Sequence, residues 1–124
     1  MPFAPAILKE DVARYLKEVP ALPETISPYM MFGFDTTEHY RELAACIHRR
    51  DKTARAQVVS RDIYPDLHEV LCHFKTLTGR SAIMNTSLNI HGHPIVMGSV
   101  EAVRILVTSN LDHVLVENTL VTKE

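Results

Sequence analysis

The chain has 124 residues, 46% of them hydrophobic and 23% charged, with a formal charge of −2 from 13 Lys+Arg against 15 Asp+Glu. That size and composition suit one globular domain and exclude an intrinsically disordered chain, since charge is balanced and apolar content is near the globular norm. The balance also lacks the basic footprint of a protein that binds nucleic acid by counterion release, so nucleic acid is not an expected partner.

The first residues, MPFAPAILKEDVARY, carry no basic n-region and no long apolar h-region, and the apolar blocks elsewhere are only a few residues long. A cytoplasmic protein with no membrane partner is therefore expected. Cys46 and Cys72 show neither CxxC nor zinc-type spacing and are expected as free thiols.

Prolines break the first part of the chain into short pieces: Pro2, Pro5, Pro20, Pro23 and Pro28. Between them, residues 11–19 predict a short helix with Val12, Tyr15, Leu16 and Val19 on one face. The stretch PALPETISP, residues 20–28, reads as an irregular loop, and the apolar run at 28–34 has strand length. Residues 36–50 support two readings. TTEHYRELAACIHRR has a helical pattern with Thr36 or Thr37 as N-cap. Residues 44–48 also suit a buried strand, with a polar turn at 49–52 and an alternating TARAQVV at 53–59 completing a hairpin.

Further on, Pro65 marks a helix start, and Leu67, Val70, Leu71, Phe74 and Leu77 recur at helical spacing until Gly79 stops it. A buried strand at 81–84 leads into a polar loop at 85–93 and a short extended piece at 94–97. Ser99 then caps a helix through Val100, Val103, Leu106 and Val107. A strand at 113–116, turn residues Glu117 and Asn118, and the apolar pair Leu120 and Val121 close the chain. This alternation predicts an α/β or mixed α+β fold, a sheet with helices packed on it.

The stretch NTSLNIHGHPIV, residues 85–96, joins short hydroxyl and amide side chains to a glycine directly after an apolar strand. Such a loop can bring backbone N–H groups and side-chain donors to an anion. Composition by itself favours the plainer reading, a polar connection in which Gly92 supplies a positive φ. Arg55, between Ala54 and Ala56, could fork onto phosphate oxygens; the alternative is a strand-face arginine paired with Asp51 or Asp62. His91 and His93 form an H-x-H pair without an evident third ligand, so no metal site is expected. His68 and His73 lie five apart and do not share a helix face. GxSxG, GxxxxGK[ST] and HExxH are all absent, and neither cysteine has an evident base beside it in sequence.

PFAPAIL (2–8), SPYMMF (27–32), HRRDKTARAQVVSRD (48–62), NTSLNIHGHPIV (85–96), SVEAVRILVTS (99–109) and DHVLVENTLV (112–121) follow one another in a familiar order. Through them the chain resembles the C-terminal, YrdC-like domain of the nodulation- and antibiotic-type O-carbamoyltransferases. The resemblance implies a single domain over residues 1–124, a YrdC-like twisted sheet with helices packed on it, incomplete relative to the family domain. It implies ATP with magnesium and carbamoyl phosphate as substrates. These would form carbamoyl adenylate with release of pyrophosphate, for transfer to a hydroxyl acceptor by an N-terminal, metal-containing domain or a separate subunit. Self-association into a homo-oligomer is a further expectation. Arg55 looks like the family's phosphate-contacting arginine, and Ser87 and Asn89 like its S-x-N phosphate element. Arg55 and Ser87 are thus the expected catalytic residues, and Arg55, Asn85, Ser87, Asn89 and Gly92 the expected nucleotide ligands. The resemblance also favours a strand at 44–48 paired with 53–59. Two places depart from the family's usual pattern: Asp51-Lys52-Thr53 stands for DGT, and His91-Gly92-His93-Pro94 for RGEP. The rival reading is a non-catalytic docking module of the same fold, binding a protein partner through an apolar surface around Tyr29, Met30 and Met31.

Overall fold

The computed structural model describes residues 3–19 and 27–124; the loop expected at 20–28 lies almost wholly outside them. The chain divides into two compact units, Met1–Thr86 and Ser87–Glu124. Both mix helices with small sheets, an α+β fold.

In the first unit, β1 (Ala4–Leu8) is buried along its whole length. It is the middle strand of a three-stranded mixed sheet, parallel to β4 (Gln57–Val59) and antiparallel to β5 (Ala82–Asn85). Pro5 does not break this strand, although its N–H is missing. The register with β4 begins only at Ala6, so the proline precedes the parallel ladder.

Helix α2 (Pro65–Thr78) covers the sheet. Pro65 sits in its first turn, and Gly79, at φ 72, closes it by donating its N–H to the Lys75 carbonyl at 2.8 Å. Leu71 is fully buried against Ala6, Leu8 and Val59, while Val70 and Leu77 of the predicted stripe remain exposed. The helical period was legible in sequence; the width of the covered face was not.

A second core joins Ile7, Val12, Tyr15, Leu16, Leu43, Ile47, Ala54, Ala56 and Val58. The helix expected over 11–19 shrinks to α1 (Val12–Tyr15), preceded by a 3-10 turn, Lys9–Asp11. Leu16 goes extended to bridge Thr36, and the Lys17 N–H bonds the Asp35 carbonyl at 2.8 Å, so strand-like pairing overrides helical propensity. Of the strand expected at 28–34 only β2 (Phe34–Asp35) forms, paired with β3 (Thr53–Ala54). Ser27 and Met30 take positive φ (52 and 57) and turn the chain there, leaving Tyr29, Met31 and Phe32 exposed.

Both readings of residues 36–50 hold in part. A 3-10 helix, Glu38–Leu43, is capped by Thr37, whose hydroxyl accepts the His39 N–H at 3.2 Å. Beyond it Ile47 bridges Ala54, and the His48 N–H bonds the Thr53 carbonyl at 2.8 Å, a hairpin reduced to its closing pairs. Ala44 and Ala45, expected in the strand, are exposed.

Tyr15 ties these pieces together. Its buried hydroxyl donates to Glu42 at 3.1 Å and accepts the Ser81 N–H at 3.2 Å, which satisfies the phenol inside the core. Glu42 also receives Arg14 at 2.8 Å and contacts His39 at 3.2 Å.

The second unit consists of α3 (Ser99–Thr108) and a hairpin of β6 (His113–Val116) and β7 (Thr119–Thr122). Ala102, Leu106 and Val114 form its buried core, with Leu88, Val116 and Val121 beside them. Glu117, at φ 53, opens the predicted turn. Ser99 is the first helical residue rather than the cap, which falls to Gly98. Among the described residues no helix is long and apolar enough to cross a membrane.

Candidate functional site

Arg55 lies in the two-residue link between β3 and β4, which interrupts the strand expected at 53–59. Ala54 and Ala56 on either side are buried, at 2% and 0% exposure. The link is held by Ser27, whose hydroxyl donates to the Ala56 carbonyl at 2.7 Å and whose carbonyl accepts the Val58 N–H at 3.0 Å. Arg55 itself is exposed and forms no ion pair with a described residue.

Neither Asp51 nor Asp62 pairs with it, and Asp51 is engaged elsewhere. Asp51 accepts the Thr53 N–H at 3.0 Å and the Thr53 hydroxyl at 2.8 Å, and meets His48 at 2.9 Å. Those bonds, the Thr53 backbone first, bring its carboxyl down to about 2. Arg55 thus offers a guanidinium with no carboxylate partner among the described residues, on an anchored backbone.

Asn85, at the end of β5, does different work. Its amide donates to the side-chain oxygen of the buried Gln57 at 2.7 Å. The two residues are registered with Ala4 and Ala6 of β1, whose small side chains let the amides meet. Asn85 is a brace across the sheet.

Ser87, Asn89 and Gly92 belong to the second unit. Ser87 and Asn89 do come together, the serine hydroxyl donating to the asparagine side-chain oxygen at 2.6 Å. The Asn89 amide donates to the carbonyls of Ile90 at 3.2 Å and His93 at 3.0 Å. The His93 N–H returns to the Ile90 carbonyl at 2.8 Å, and Gly92 supplies the turn at φ 83. In this arrangement Asn89 holds the loop together, and Ser87 must release Asn89 before it can donate to an anion. Its lone pairs are acceptors and do not serve phosphate.

Beside this loop lies a cleft of about 520 Å³ with an apolar wall of Ile90, Ile95, Val96 and Ile105, and with Glu101 and Arg104 among its lining. Arg104 escaped the sequence reading because it looked like an ordinary polar position on an amphipathic helix. No group of three His, Cys, Asp or Glu side chains suited to a metal occurs among the described residues.

The first unit is thus a mixed sheet braced by an Asn–Gln pair with an arginine on an anchored link, and the second carries a turn built on Ser87 and Asn89, both within an α+β fold. Residues 1–123 match the family described as Carbamoyltransferase C-terminus, and the chain belongs to it. It is similar to nodulation protein NolNO of Sinorhizobium fredii, 36% identical over 124 residues that cover 98% of this chain and 18% of the relative. Nodulation protein NolO of Bradyrhizobium diazoefficiens is 34% identical over 122 residues, 98% of this chain and 22% of its own length. An uncharacterised protein of Methanocaldococcus jannaschii is 32% identical over 124 residues, 99% and 23% of the two chains. The chain therefore spans about a fifth of the length of these relatives.

Proposed function

We propose that this chain is the nucleotide- and carbamoyl-phosphate-binding domain of an ATP-dependent O-carbamoyltransferase. It would help form carbamoyl adenylate, which a further domain or separate subunit transfers to a hydroxyl acceptor. The observation that carries the reading is Arg55: exposed, without a carboxylate partner among the described residues, and set between two buried alanines. Forming an adenylate brings two anions together, and a fixed cation offsets their repulsion as charge develops. Arg55 would clamp phosphate oxygens, with magnesium arriving on the ATP. Ser87 would swing from Asn89 to donate a hydrogen bond, while Asn89, Gly92 and Asn85 keep their segments in shape.

Calorimetric titration of Mg-ATP into the folded chain tests the reading. A charge-assisted hydrogen bond is worth roughly 1.5–3 kcal/mol, so Arg55→Ala should weaken binding about ten- to a hundredfold. Ser87→Ala should weaken it less, because the wild-type hydroxyl must first leave Asn89. Unchanged affinity in Arg55→Ala removes Arg55 from the site. No binding at all by folded protein favours the docking module, for which Tyr29, Met31 and Phe32 provide exposed apolar side chains.

A further inference from the structure

Far from Arg55 in sequence, α2 and the 3-10 turn Lys9–Asp11 assemble a cluster that sequence spacing did not reveal. Cys72 stands one helical turn after His68, with its Sγ 3.7 Å from the imidazole Nδ1. The Nε2 of the same ring lies 3.0 Å from an oxygen of Glu10, 58 residues away in the chain. A cysteine and a histidine at i, i+4 are ordinary helix neighbours. A carboxylate on the ring's other nitrogen is a different matter. It fixes the ring's orientation and places the proton on Nε2, leaving Nδ1 free to accept one.

We propose that Cys72 is a reactive thiol served by His68 and Glu10, and that it takes small-molecule disulfides by thiol–disulfide exchange. Nδ1 receives the Cys72 proton, and the thiolate attacks one sulfur of the disulfide. A bond forms between that sulfur and Cys72 as the original S–S bond breaks. The departing thiolate takes the proton back from the imidazolium and leaves as a thiol. Cys72 is oxidised, half of the reagent is reduced, and no further reactant is needed.

The surroundings support this. The His68 side chain is only 14% exposed, and its contact with Cys72 is half-buried, while Glu10 on the other nitrogen is reached from solvent. Burial works to raise the Glu10 carboxyl, but its hydrogen bond with His68 helps carry it below its ordinary value, keeping it ionised against the ring. The charged groups around the sulfur are His68 and Lys75 from its own helix, and Glu10 and Asp11 from the packed 3-10 turn, with Asp11 paired to Lys75 at 2.6 Å. Cys72 is half-buried, whereas Cys46 is buried and desolvation pushes its thiol up. The molecule thus contains its own control.

The test treats the full chain with 2,2′-dithiodipyridine, follows thiopyridone release and locates the labelled cysteine by peptide mass. One fast equivalent should map to Cys72. Near neutrality it should react about tenfold faster than a simple peptide thiol. His68→Gln should slow it about tenfold near neutrality, to the simple-thiol rate, with Glu10→Gln giving a smaller loss. Labelling of Cys46 first, or a folded wild type whose Cys72 follows the rate of the simple thiol, overturns the proposal. That second outcome needs no variant, so it decides the matter even if His68→Gln fails to fold. A folded His68→Gln protein with unchanged rate overturns it as well.

Discussion

In the first unit, side chains from Ile7 to Val58 close one core, and Leu71 closes another against Ala6, Leu8 and Val59. In the second, the buried side chains are Ala102, Leu106 and Val114, all close together in sequence. The loop leading into α3 takes its shape instead from polar bonds centred on Asn89. The same family domain therefore presents candidate residues in two ways. Arg55 rides on a backbone locked by buried neighbours, while Ser87 rides on a loop held by the Asn89 side chain and two backbone bonds. Apolar packing tolerates little change in volume, whereas a hydrogen-bonded loop can exchange one partner for another at modest cost. That contrast places Arg55 on the rigid support and Ser87 on the adjustable one.

The largest expected effect is Leu71→Ala. Leu71 has no exposed surface, and truncating such a leucine costs about 2–5 kcal/mol. Denaturant unfolding should show that loss, together with faster amide exchange in β1 and β4. A loss under about 1 kcal/mol would mean that α2 collapses onto the sheet without it. Next comes Asn89→Ala, which removes the amide from three bonds and should cost the loop about 1–3 kcal/mol of local stability. The measurable result is at least about tenfold faster exchange at the His93 and Val96 N–H groups, with exchange in β1 unchanged. Equal acceleration in both regions would erase the distinction between a packed and a hydrogen-bonded support.

Acid should probe the first unit through Glu42. Its hydrogen bond from Arg14, aided by those of Tyr15 and His39, holds its carboxyl below the ordinary 4.5 despite partial burial. A depressed folded value means the unfolded chain binds the proton more readily. The contribution is therefore present above pH 4.5 and is lost as pH falls below it towards the folded value. The thermal midpoints of wild type and Glu42→Gln should differ at pH 7 and converge below pH 4. A constant gap would show that the glutamate acts by shape rather than charge.

Local signals in the sequence gave a faithful account wherever local physics decides. Pro65 and Gly79 bracket α2, and Glu117 and Asn118 mark the final hairpin. The reading failed where distant segments compete. Leu16 leaves its helix to meet Thr36, and Pro5 sits unbroken in the middle strand because β4 pairs only beyond it. Of the candidate site, the resemblance pointed to Arg55, Ser87 and Asn89, but neither the bond from Ser87 to Asn89 nor the absence of a carboxylate beside Arg55 among the described residues was legible in the sequence. The engagement of Asn85 with Gln57 was not legible either, nor was that of His68 with Glu10, since each joins residues with no shared local pattern.

The smallest predicted effect concerns Lys52. The family pattern that this chain resembles has glycine there, and the lysine adopts φ 62. Its N–H still closes the turn onto the His48 carbonyl at 2.9 Å, and Asp51 still accepts the Thr53 N–H, so the hairpin forms with strain rather than without its bonds. A side chain in the left-handed region costs roughly 1–2 kcal/mol, and glycine loses about 0.5–1 kcal/mol of that gain to the greater freedom of the unfolded chain. The lysine also donates to the Arg49 carbonyl at 2.7 Å, an exposed bond that water can replace. Lys52→Gly should therefore be more stable than wild type by at most about 1 kcal/mol. Lys52→Ala, which loses the same side-chain bond but keeps Cβ, should be no more stable than wild type. The two substitutions differ chiefly in backbone freedom. If denaturant midpoints place glycine at or below alanine, relief of strain does not govern this turn, and the greater freedom of glycine in the unfolded chain outweighs it.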